Sequence, residues 1–337
     1  MTKPITPTEL TDVFASFANT NVLIIGDVMV DSYIWGRVER ISPEAPVPIV
    51  VSQKRENRLG GAANVAMNVK ALDANPIMCA VIGDDHHSDL FLGLLKELNM
   101  TQIGIIKHPK RVTTVKTRII GNHHHMLRVD DEIDTNLPPD IEQLYIDHVC
   151  KIINTQSIHS IIFQDYDKGI ITPKVIEDIT QLAKQKNIPT LVDPKKRNFL
   201  NYKNVTLFKP NFKELCEGLN LHIQRGDFQG INQAANILHA QQNIEYVFIT
   251  LSELGVYISN GNRFQTIPTQ VRDVADVSGA GDTVVATAGV CMAKGLDVMH
   301  IAAIANIAGG IVCEKVGVVP VDKIRLLKDS IEFLVHS

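Results

Sequence analysis

Residues 276–290, DVSGAGDTVVATAGV, join a glycine-rich turn to an apolar run that predicts a helix over residues 282–294. Gly279 and Gly281 allow a sharp turn and a close approach to a ligand, because neither carries a Cβ. The N–H groups of Gly279, Ala280, Gly281 and Asp282 are placed to converge on an anion at the helix start. The Asp282 carboxylate either caps the helix or accepts a proton from an attacking hydroxyl. The second option, beside an anion hole, is the chemistry that phosphoryl transfer needs.

Short apolar runs alternate with helical patterns over most of the chain, beginning with NVLIIGD at residues 21–27. This alternation predicts an α/β fold, a three-layer α/β/α sandwich whose mostly parallel central sheet is covered on both faces. Ligands in such sheets bind beyond the carboxyl ends of the strands. The polar residues at those ends are therefore the first site candidates, namely Asp27, Asp31, Asp165, Asp193, Asn211 and Thr250.

Two segments interrupt this alternation, at residues 32–56 and 112–130. The first is extended and carries three prolines, and the second predicts a hairpin that turns at Gly121-Asn122. We expect a small β lid built from both segments and protruding from a single domain that spans residues 1–337. An uncovered lid would leave strand edges and apolar side chains such as Trp35 exposed, which predicts a homodimer through the lid strands.

Composition excludes several classes of protein. The chain has 337 residues with a net charge of −4, so no basic excess indicates a nucleic-acid partner. No apolar stretch is long enough to span a membrane, and the N-terminus lacks a secretion-signal pattern. Five scattered cysteines without a CxxC motif predict reduced thiols in a cytoplasmic protein and no zinc site.

Two further motifs have simpler interpretations than a metal site or a dinucleotide-binding site. The run His123-His124-His125 could suggest a metal site, but adjacent side chains point in alternating directions, which favours an exposed turn. Gly26-Asp27 after the first strand lacks the G-x-G-x-x-G pattern, which disfavours a nicotinamide-dependent dehydrogenase.

Four motifs in order along the chain give a family resemblance: GGAANVAMN (60–68), NFKE (211–214), TLSELG (250–255) and DVSGAGDT (276–283). From about residue 20 to 330 the chain resembles the ribokinase-like sugar kinases, also called the phosphofructokinase B family. Two departures are visible: Ser278 stands where threonine is common, and the first motif is one residue shorter than in ribokinases.

The resemblance implies a role for each matching residue. Asp282 would be the catalytic base, with the amides of residues 279–282 as the anion hole. ATP and Mg²⁺ would be the cofactors, and a monovalent cation near residues 272–282 is left open. Asn211 and Glu214, three residues apart on one predicted helical face, would organise Mg²⁺ through water. Sugar hydroxyls would be bound by Asp31, Gly60, Gly61 and Asn64, and the nucleotide by Asn211, Glu214, Thr250, Gly255 and Asn306.

A narrower resemblance concerns RISPEAPVP at residues 40–48, which is similar to the kinase half of heptose-phosphate kinases of lipopolysaccharide synthesis. It implies transfer of the ATP γ-phosphate to the anomeric C1 hydroxyl of D-glycero-D-manno-heptose 7-phosphate. Many relatives continue into a nucleotidyltransferase domain with an H-x-G-H motif, which this sequence lacks, so we expect the kinase alone. The alternatives are a kinase for another sugar, such as fructose or ribose, and a catalytically idle sugar-binding relative.

A substrate that already bears a phosphate needs cationic partners away from the reacting hydroxyl. Any single lid cation is more often a solvated charge, but we expect at least one to bind the 7-phosphate. The candidates are Lys116, Arg128 and Lys195, with Arg118, Lys196 and Arg197 as further basic residues in the same segments.

Overall fold

The computed structural model describes residues 4–270 and 272–336. Within these residues the strands are β1 (Asn21–Gly26), β2 (Val28–Ile41), β3 (Pro48–Gly61), β4 (Asn75–Gly83), β5 (Ile105–His108), β6 (Val115–Gly121), β7 (His124–Asp131), β8 (Ser160–Gln164), β9 (Thr190–Asp193), β10 (Leu207–Phe208), β11 (Tyr246–Thr250), β12 (Val256–Ser259) and β13 (Phe264–Ile267). The α-helices are α1 (Pro7–Ala15), α2 (Ala62–Ala71), α3 (His86–Glu97), α4 (Pro139–Thr155), α5 (Pro173–Gln185), α6 (Phe212–Leu219), α7 (Phe228–Gln242), α8 (Ala280–Ala293), α9 (Val298–Cys313) and α10 (Lys323–His336).

The central sheet contains nine strands in the order β13-β12-β11-β10-β9-β8-β1-β4-β5. Neighbouring strands from β11 to β5 run parallel, whereas β12 and β13 continue the sheet in antiparallel fashion. The chain lays β4 and β5 on one side of β1 and β8 to β11 on the other. A crevice therefore opens beyond the carboxyl ends of β1 and β8, where ligands bind in open α/β sheets.

Helices cover both faces of this sheet, as the uninterrupted apolar strands require. Every residue of β8 and β9 is buried, and so are residues 22–26 of β1. On one side α2, α8 and α9 pack against each other, and α4 packs with α5. Tyr145 of α4 donates its hydroxyl proton to the Cys79 carbonyl of β4 at 2.7 Å. The predicted three-layer α/β/α sandwich is thus confirmed, and no helix among the described residues is long and apolar enough to cross a bilayer.

The lid is a separate four-stranded sheet in the order β3-β2-β6-β7. β2 pairs antiparallel with β3 and parallel with β6, and β6 and β7 form the predicted hairpin. Its two-residue turn is Asn122-His123, both with positive φ, which is one residue later than predicted. His123, His124 and His125 are exposed, in agreement with the preferred interpretation of that run.

Two predicted boundaries need correction. The lid strands are longer than residues 32–56, since β2 begins at Val28 and β3 continues to Gly61. Asp31 therefore lies inside a lid strand and not at the end of a central strand. Asp27 alone separates β1 from β2, and its buried carboxylate accepts backbone N–H bonds from Tyr166, Lys168 and Ile170, which fixes this junction without a loop. Helix α8 begins at Ala280, two residues earlier than predicted.

Candidate active site

The turn before α8 is held open by a glycine in the left-handed region. Gly279 has φ of 79° and is the N-cap of the helix, with no side chain capping it. A Cβ there would lie 2.9 Å from the Asn64 amide nitrogen, so a larger residue would be strained and crowded. The Ala280 N–H donates to the Val277 carbonyl at 3.3 Å, while the N–H groups of Gly279, Gly281 and Asp282 have no acceptor within residues 4–270 and 272–336. Three of the four predicted amides are thus available to an anion.

The Asp282 carboxylate lies at the end of this turn and is held by three donors. Its Oδ2 accepts from Asn64 Nδ2 at 2.6 Å, and its Oδ1 accepts from Gln164 Nε2 at 3.1 Å and the Tyr166 hydroxyl at 2.8 Å. The side chain is 7% exposed yet lines a large cavity. Burial raises the pKa of Asp282 to about 6, against the lowering effect of the Asn64 hydrogen bond. The group is therefore ionised at neutral pH and is a stronger base than an ordinary carboxylate.

The predicted sugar-binding residues lie together beside Asp282, at the junction between lid strand β3 and helix α2. Gly60 and Gly61 end β3, and a side chain at Gly60 would collide with the Asp31 carboxylate. Asn64, in the first turn of α2, connects this corner to Asp282 through its side-chain amide. These four residues thus form one wall, called here the polar wall, which Asn64 joins to Asp282 of the 279–282 turn.

The predicted nucleotide-binding residues line the other side of Asp282. The cavity has a volume of about 850 Å³ and reaches from the 279–282 turn to α9. Asn306 of α9 donates to the Pro268 carbonyl at 3.0 Å, and Gly255 adopts φ of 87° at the start of β12. Gly309 and Gly310 leave the α9 face open. The five nucleotide-binding candidates all contribute to its wall, namely Asn211, Glu214, Thr250, Gly255 and Asn306.

Asn211 and Glu214 form a capping box, which corrects the expectation that they share a helical face. Asn211 is the N-cap of α6 and accepts the Glu214 N–H at 2.8 Å, while Glu214 Oε2 accepts the Asn211 N–H at 2.9 Å. No group of three or more His, Cys, Asp or Glu side chains within the described ranges could hold a metal ion alone. Mg²⁺ commonly takes one or two carboxylates with phosphates and waters. The Glu214 and Asp193 carboxylates at the cavity wall fit such a partly hydrated ion.

The three predicted phosphate-binding cations lie in different environments. Lys195 pairs with Glu214 and lines the nucleotide-side cavity, so it lies with the nucleotide-binding candidates and not on the lid. Lys116 pairs with Asp130 at 3.1 Å and with Glu132 at 3.0 Å. Arg128, on the edge strand β7, is over half exposed and pairs with Asp130 at 2.9 Å. The structure therefore does not gather these three side chains into one anion site.

Sequence analysis missed two of the groups that contact Asp282, Gln164 and Tyr166, and the buried lysine Lys209. Lys209 is 2% exposed, and its Nζ lies 3.1 Å from Asp193 Oδ2 on the cavity wall. The neighbouring acid Asp165 was a candidate, but it is 1% exposed and accepts from the Tyr202 hydroxyl at 3.0 Å, which gives it a structural role. Their position offered a signal, since Gln164 ends β8 and Tyr166 follows the strand-end candidate Asp165.

The fold is shared with solved sugar kinases. The structure matches the tetrameric inhibited form of phosphofructokinase-2 from Escherichia coli with a TM-score of 0.76 and 15% identity, covering 94% of this chain and 99% of that one. It matches ribokinase from Arabidopsis thaliana, complexed with ribose and ATP, with a TM-score of 0.69 and 15% identity, covering 92% and 99%. At this identity the likeness concerns the fold.

Sequence comparison identifies nearer relatives. The pfkB family carbohydrate kinase profile matches residues 19–324. The bifunctional protein HldE of Wolinella succinogenes is 37% identical over 305 residues, which cover 90% of this chain and 63% of that protein. The bifunctional protein HldE of Helicobacter pylori strain P12 is 36% identical over 296 residues, covering 88% and 63%. The chain thus spans a little under two thirds of the length of these relatives.

Proposed function

This chain belongs to the pfkB family of carbohydrate kinases, and we propose that it transfers the γ-phosphoryl group of ATP to the C1 hydroxyl of D-glycero-D-manno-heptose 7-phosphate. The product would be the 1,7-bisphosphate, used to make ADP-heptose for the lipopolysaccharide core. The proposal depends above all on the position of Asp282. Its carboxylate lies between the nucleotide-side cavity and the polar wall of Asp31, Gly60 and Asn64.

Two observations support the heptose phosphate as the acceptor. The segment RISPEAPVP at residues 40–48 resembles the heptose-phosphate kinases. The bifunctional HldE proteins are 35–37% identical across about nine tenths of this chain. The match covers 63% of the length of the Wolinella succinogenes protein, and the reaction proposed here is the kinase reaction.

In the proposed reaction Asp282 accepts the proton of the C1 hydroxyl. The oxygen forms a bond to the γ-phosphorus while the bond from that phosphorus to the bridging oxygen of ADP breaks, and ADP leaves with the electron pair. The unpaired N–H groups of Gly279, Gly281 and Asp282 would face the charge on the transferring group. Asn64 and Tyr166 keep the carboxylate oriented through their hydrogen bonds.

Metal binding is part of the proposal. Glu214 and Asn211, with Asp193 nearby, would hold Mg²⁺ through water at the cavity wall. When bound, Mg²⁺ neutralises phosphate charge during transfer. One structural neighbour, phosphofructokinase-2 from Escherichia coli, was solved in complex with potassium. A monovalent cation near residues 272–282 is tested by comparing turnover in potassium chloride and sodium chloride.

A homodimer through the lid is proposed from the apolar face opposite Asp31, called here the outer face (Ile34, Ile119, Leu127 and Val129). Strand register places Ile34 beside Ile119, and Ile119 opposite Leu127. Leu127 is 57% exposed and Val129 43% exposed. A face of this kind favours a partner, and a second copy offers the same apolar residues.

Sedimentation tests the dimer. The wild-type chain is expected to sediment as a dimer at micromolar concentration, and Leu127→Asp is expected to shift it to monomer because a charge would replace buried apolar area. A wild-type monomer at that concentration would contradict the proposal.

We place the enzyme in the cytoplasm, where ATP is available. The five cysteines are unpaired thiols, which agrees with a reducing compartment.

The acceptor is tested with a panel of sugars and an ADP-release readout. We expect strong turnover with heptose 7-phosphate and weak turnover with heptose, fructose, ribose and their phosphates. A preference for an unphosphorylated hexose or pentose would favour the alternative sugar kinase. Absence of ADP release with every acceptor would favour a sugar-binding relative without catalysis.

A further inference from the structure

Two arginines that sequence analysis did not pair lie on the lid face that carries Asp31, called here the inner face (Asp31, Tyr33, Arg58 and Arg118). Asp31 is directly opposite Arg58 on β3, and Tyr33 is beside Arg118 on β6. Residues paired in this way project from the same face of a sheet. Four side chains from three strands therefore share one surface.

The two guanidinium groups are held in place but keep unused donors. Arg58 donates through Nε to Glu56 at 2.5 Å, and Arg118 donates through Nη1 to Asp31 at 2.5 Å. Both lie over the Tyr33 ring, with Cζ 5.2 Å and 5.3 Å from its centroid. No acceptor within the described part of the chain occupies Nη1 or Nη2 of Arg58, or Nε or Nη2 of Arg118. Each fork thus still presents donors suited to a phosphate.

Arg58 lies close to the proposed sugar-binding residues and to the turn before α8. Arg58 precedes Gly60 by two residues, which corresponds to about 7 Å along a strand. Its Nη1 lies 3.3 Å from the position of a Cβ at Gly317, whose N–H donates to Asp276 of the catalytic turn at 2.9 Å. Arg58 therefore lies near both the proposed sugar-binding residues and the turn that leads to Asp282.

Other cations near this corner are already matched by carboxylates. Lys116 has Asp130 and Glu132, Lys168 Nζ lies 2.7 Å from Glu132, and Lys195 has Glu214. Each of these ammonium groups has at least one carboxylate partner within the lid or the nucleotide-side cavity. Each inner-face arginine uses one nitrogen of its guanidinium group in its ion pair, and its other N–H groups can bind a further anion.

We infer that Arg58 and Arg118 together bind the phosphate that the acceptor sugar already carries. This inference rests on the proposed function, because it names the residues that recognise a phosphorylated acceptor. Asp31 orients the guanidinium group of Arg118, and Glu56 orients that of Arg58. Both guanidinium groups lie over the Tyr33 ring, so little reorganisation is needed when the phosphate binds. Arg58 and Arg118 therefore determine specificity for a sugar phosphate over the free sugar.

The test compares Arg58→Gln and Arg118→Gln with the wild type, using heptose 7-phosphate and heptose as acceptors. We expect the KM for heptose 7-phosphate to rise at least about tenfold in each variant, which is the size of a lost charged hydrogen bond. The KM for ATP is expected to stay within about twofold, and the kcat/KM for heptose is expected to fall much less than the kcat/KM for heptose 7-phosphate. Arg58→Lys keeps the charge without the fork and should give an intermediate KM.

Arg37→Gln is the matched control, since this β2 arginine is 64% exposed and lies 3.7 Å from Glu39. It should leave both acceptors unchanged, and thermal unfolding of each variant checks folding. If the wild type prefers free sugars, the proposed function fails. If the wild type uses heptose 7-phosphate but both glutamine variants keep its KM, the inference alone is overturned.

Discussion

The nucleotide-side cavity and the lid assemble their residues in different ways. In the cavity, Asn211, Thr250 and Gly255 lie at or just beyond the carboxyl ends of the parallel strands β10 and β11, so sequence position alone brings them together. On the lid, Asp31, Arg58 and Arg118 come together only through pairing of three strands. Motifs that follow strands therefore predict the first region, whereas cross-strand register decides the second.

The largest effect should come from the group that both regions share. Asp282→Asn removes the proposed base while keeping its size, and we expect kcat to fall by about 10²- to 10⁴-fold. The KM values for ATP and for the acceptor should change little, since Asn64 and the turn remain. ADP release measures turnover, with thermal unfolding as the control for folding. Turnover within fivefold of wild type would remove Asp282 as the base.

A smaller loss is expected from the turn that shapes the anion hole. Gly279→Ala places a methyl group against Asn64 at positive φ, and misplacement of this kind costs up to about 10²-fold in kcat. Gly295→Ala is the matched control, because Gly295 has φ of 70° and no atom within 4 Å of its Cβ position. Both substitutions introduce backbone strain at positive φ, but only Gly279→Ala also crowds the Asn64 side chain. Only Gly279→Ala should therefore lose turnover. Equal turnover in the two variants would contradict a special role for this turn.

The next-largest effect is expected at the proposed Mg²⁺ site in the cavity wall. Glu214→Gln should raise the Mg²⁺ concentration for half-maximal rate roughly tenfold, the usual cost of a weakened metal shell. Glu217→Gln is a control on the same helix, since Glu217 is 45% exposed and lies 3.6 Å from Lys213. A Mg²⁺ requirement that is unchanged in Glu214→Gln would argue against this placement of the ion.

The smallest effect concerns the pH profile. The wild-type rate should fall as pH drops through about 6, because protonated Asp282 cannot accept the proton. The Tyr166 hydrogen bond lowers the pKa of Asp282, so Tyr166→Phe should move this acidic limb to higher pH. Tyr202→Phe removes a buried hydroxyl that donates to Asp165 and should leave the limb in place. A limb that moves to lower pH in Tyr166→Phe would contradict the sign of this coupling.

The fold could be predicted from sequence because its signals are local. Apolar runs such as NVLIIGD at 21–27 become buried parallel strands, and the hairpin appears within one residue of its predicted turn. The extent of β2 and β3 could not be predicted, since it depends on the Asp27 carboxylate binding backbone groups more than 130 residues away.

The grouping of the candidate site residues could be predicted in part, and their roles stay predictions. The nucleotide-side residues line one cavity, and Asn64 contacts Asp282. The ion pairs of the lid cations could not be predicted, because they depend on strand register. Lys116, for example, contacts Asp130 and Glu132 through the alignment of β6 with β7. Arg58 belongs to no motif quoted above, and its position beside Asp31 follows only from the pairing of β2 with β3.

A crystal structure of the complex with Mg²⁺, a non-hydrolysable ATP analogue and heptose 7-phosphate tests the account most directly. We predict the C1 hydroxyl at about 2.6–3.2 Å from an Asp282 carboxylate oxygen, the sugar against Asp31 and Gly60, and the 7-phosphate between Arg58 and Arg118. A sugar whose C1 hydroxyl lies beyond hydrogen-bond reach of Asp282 would contradict the assignment of this residue as the base.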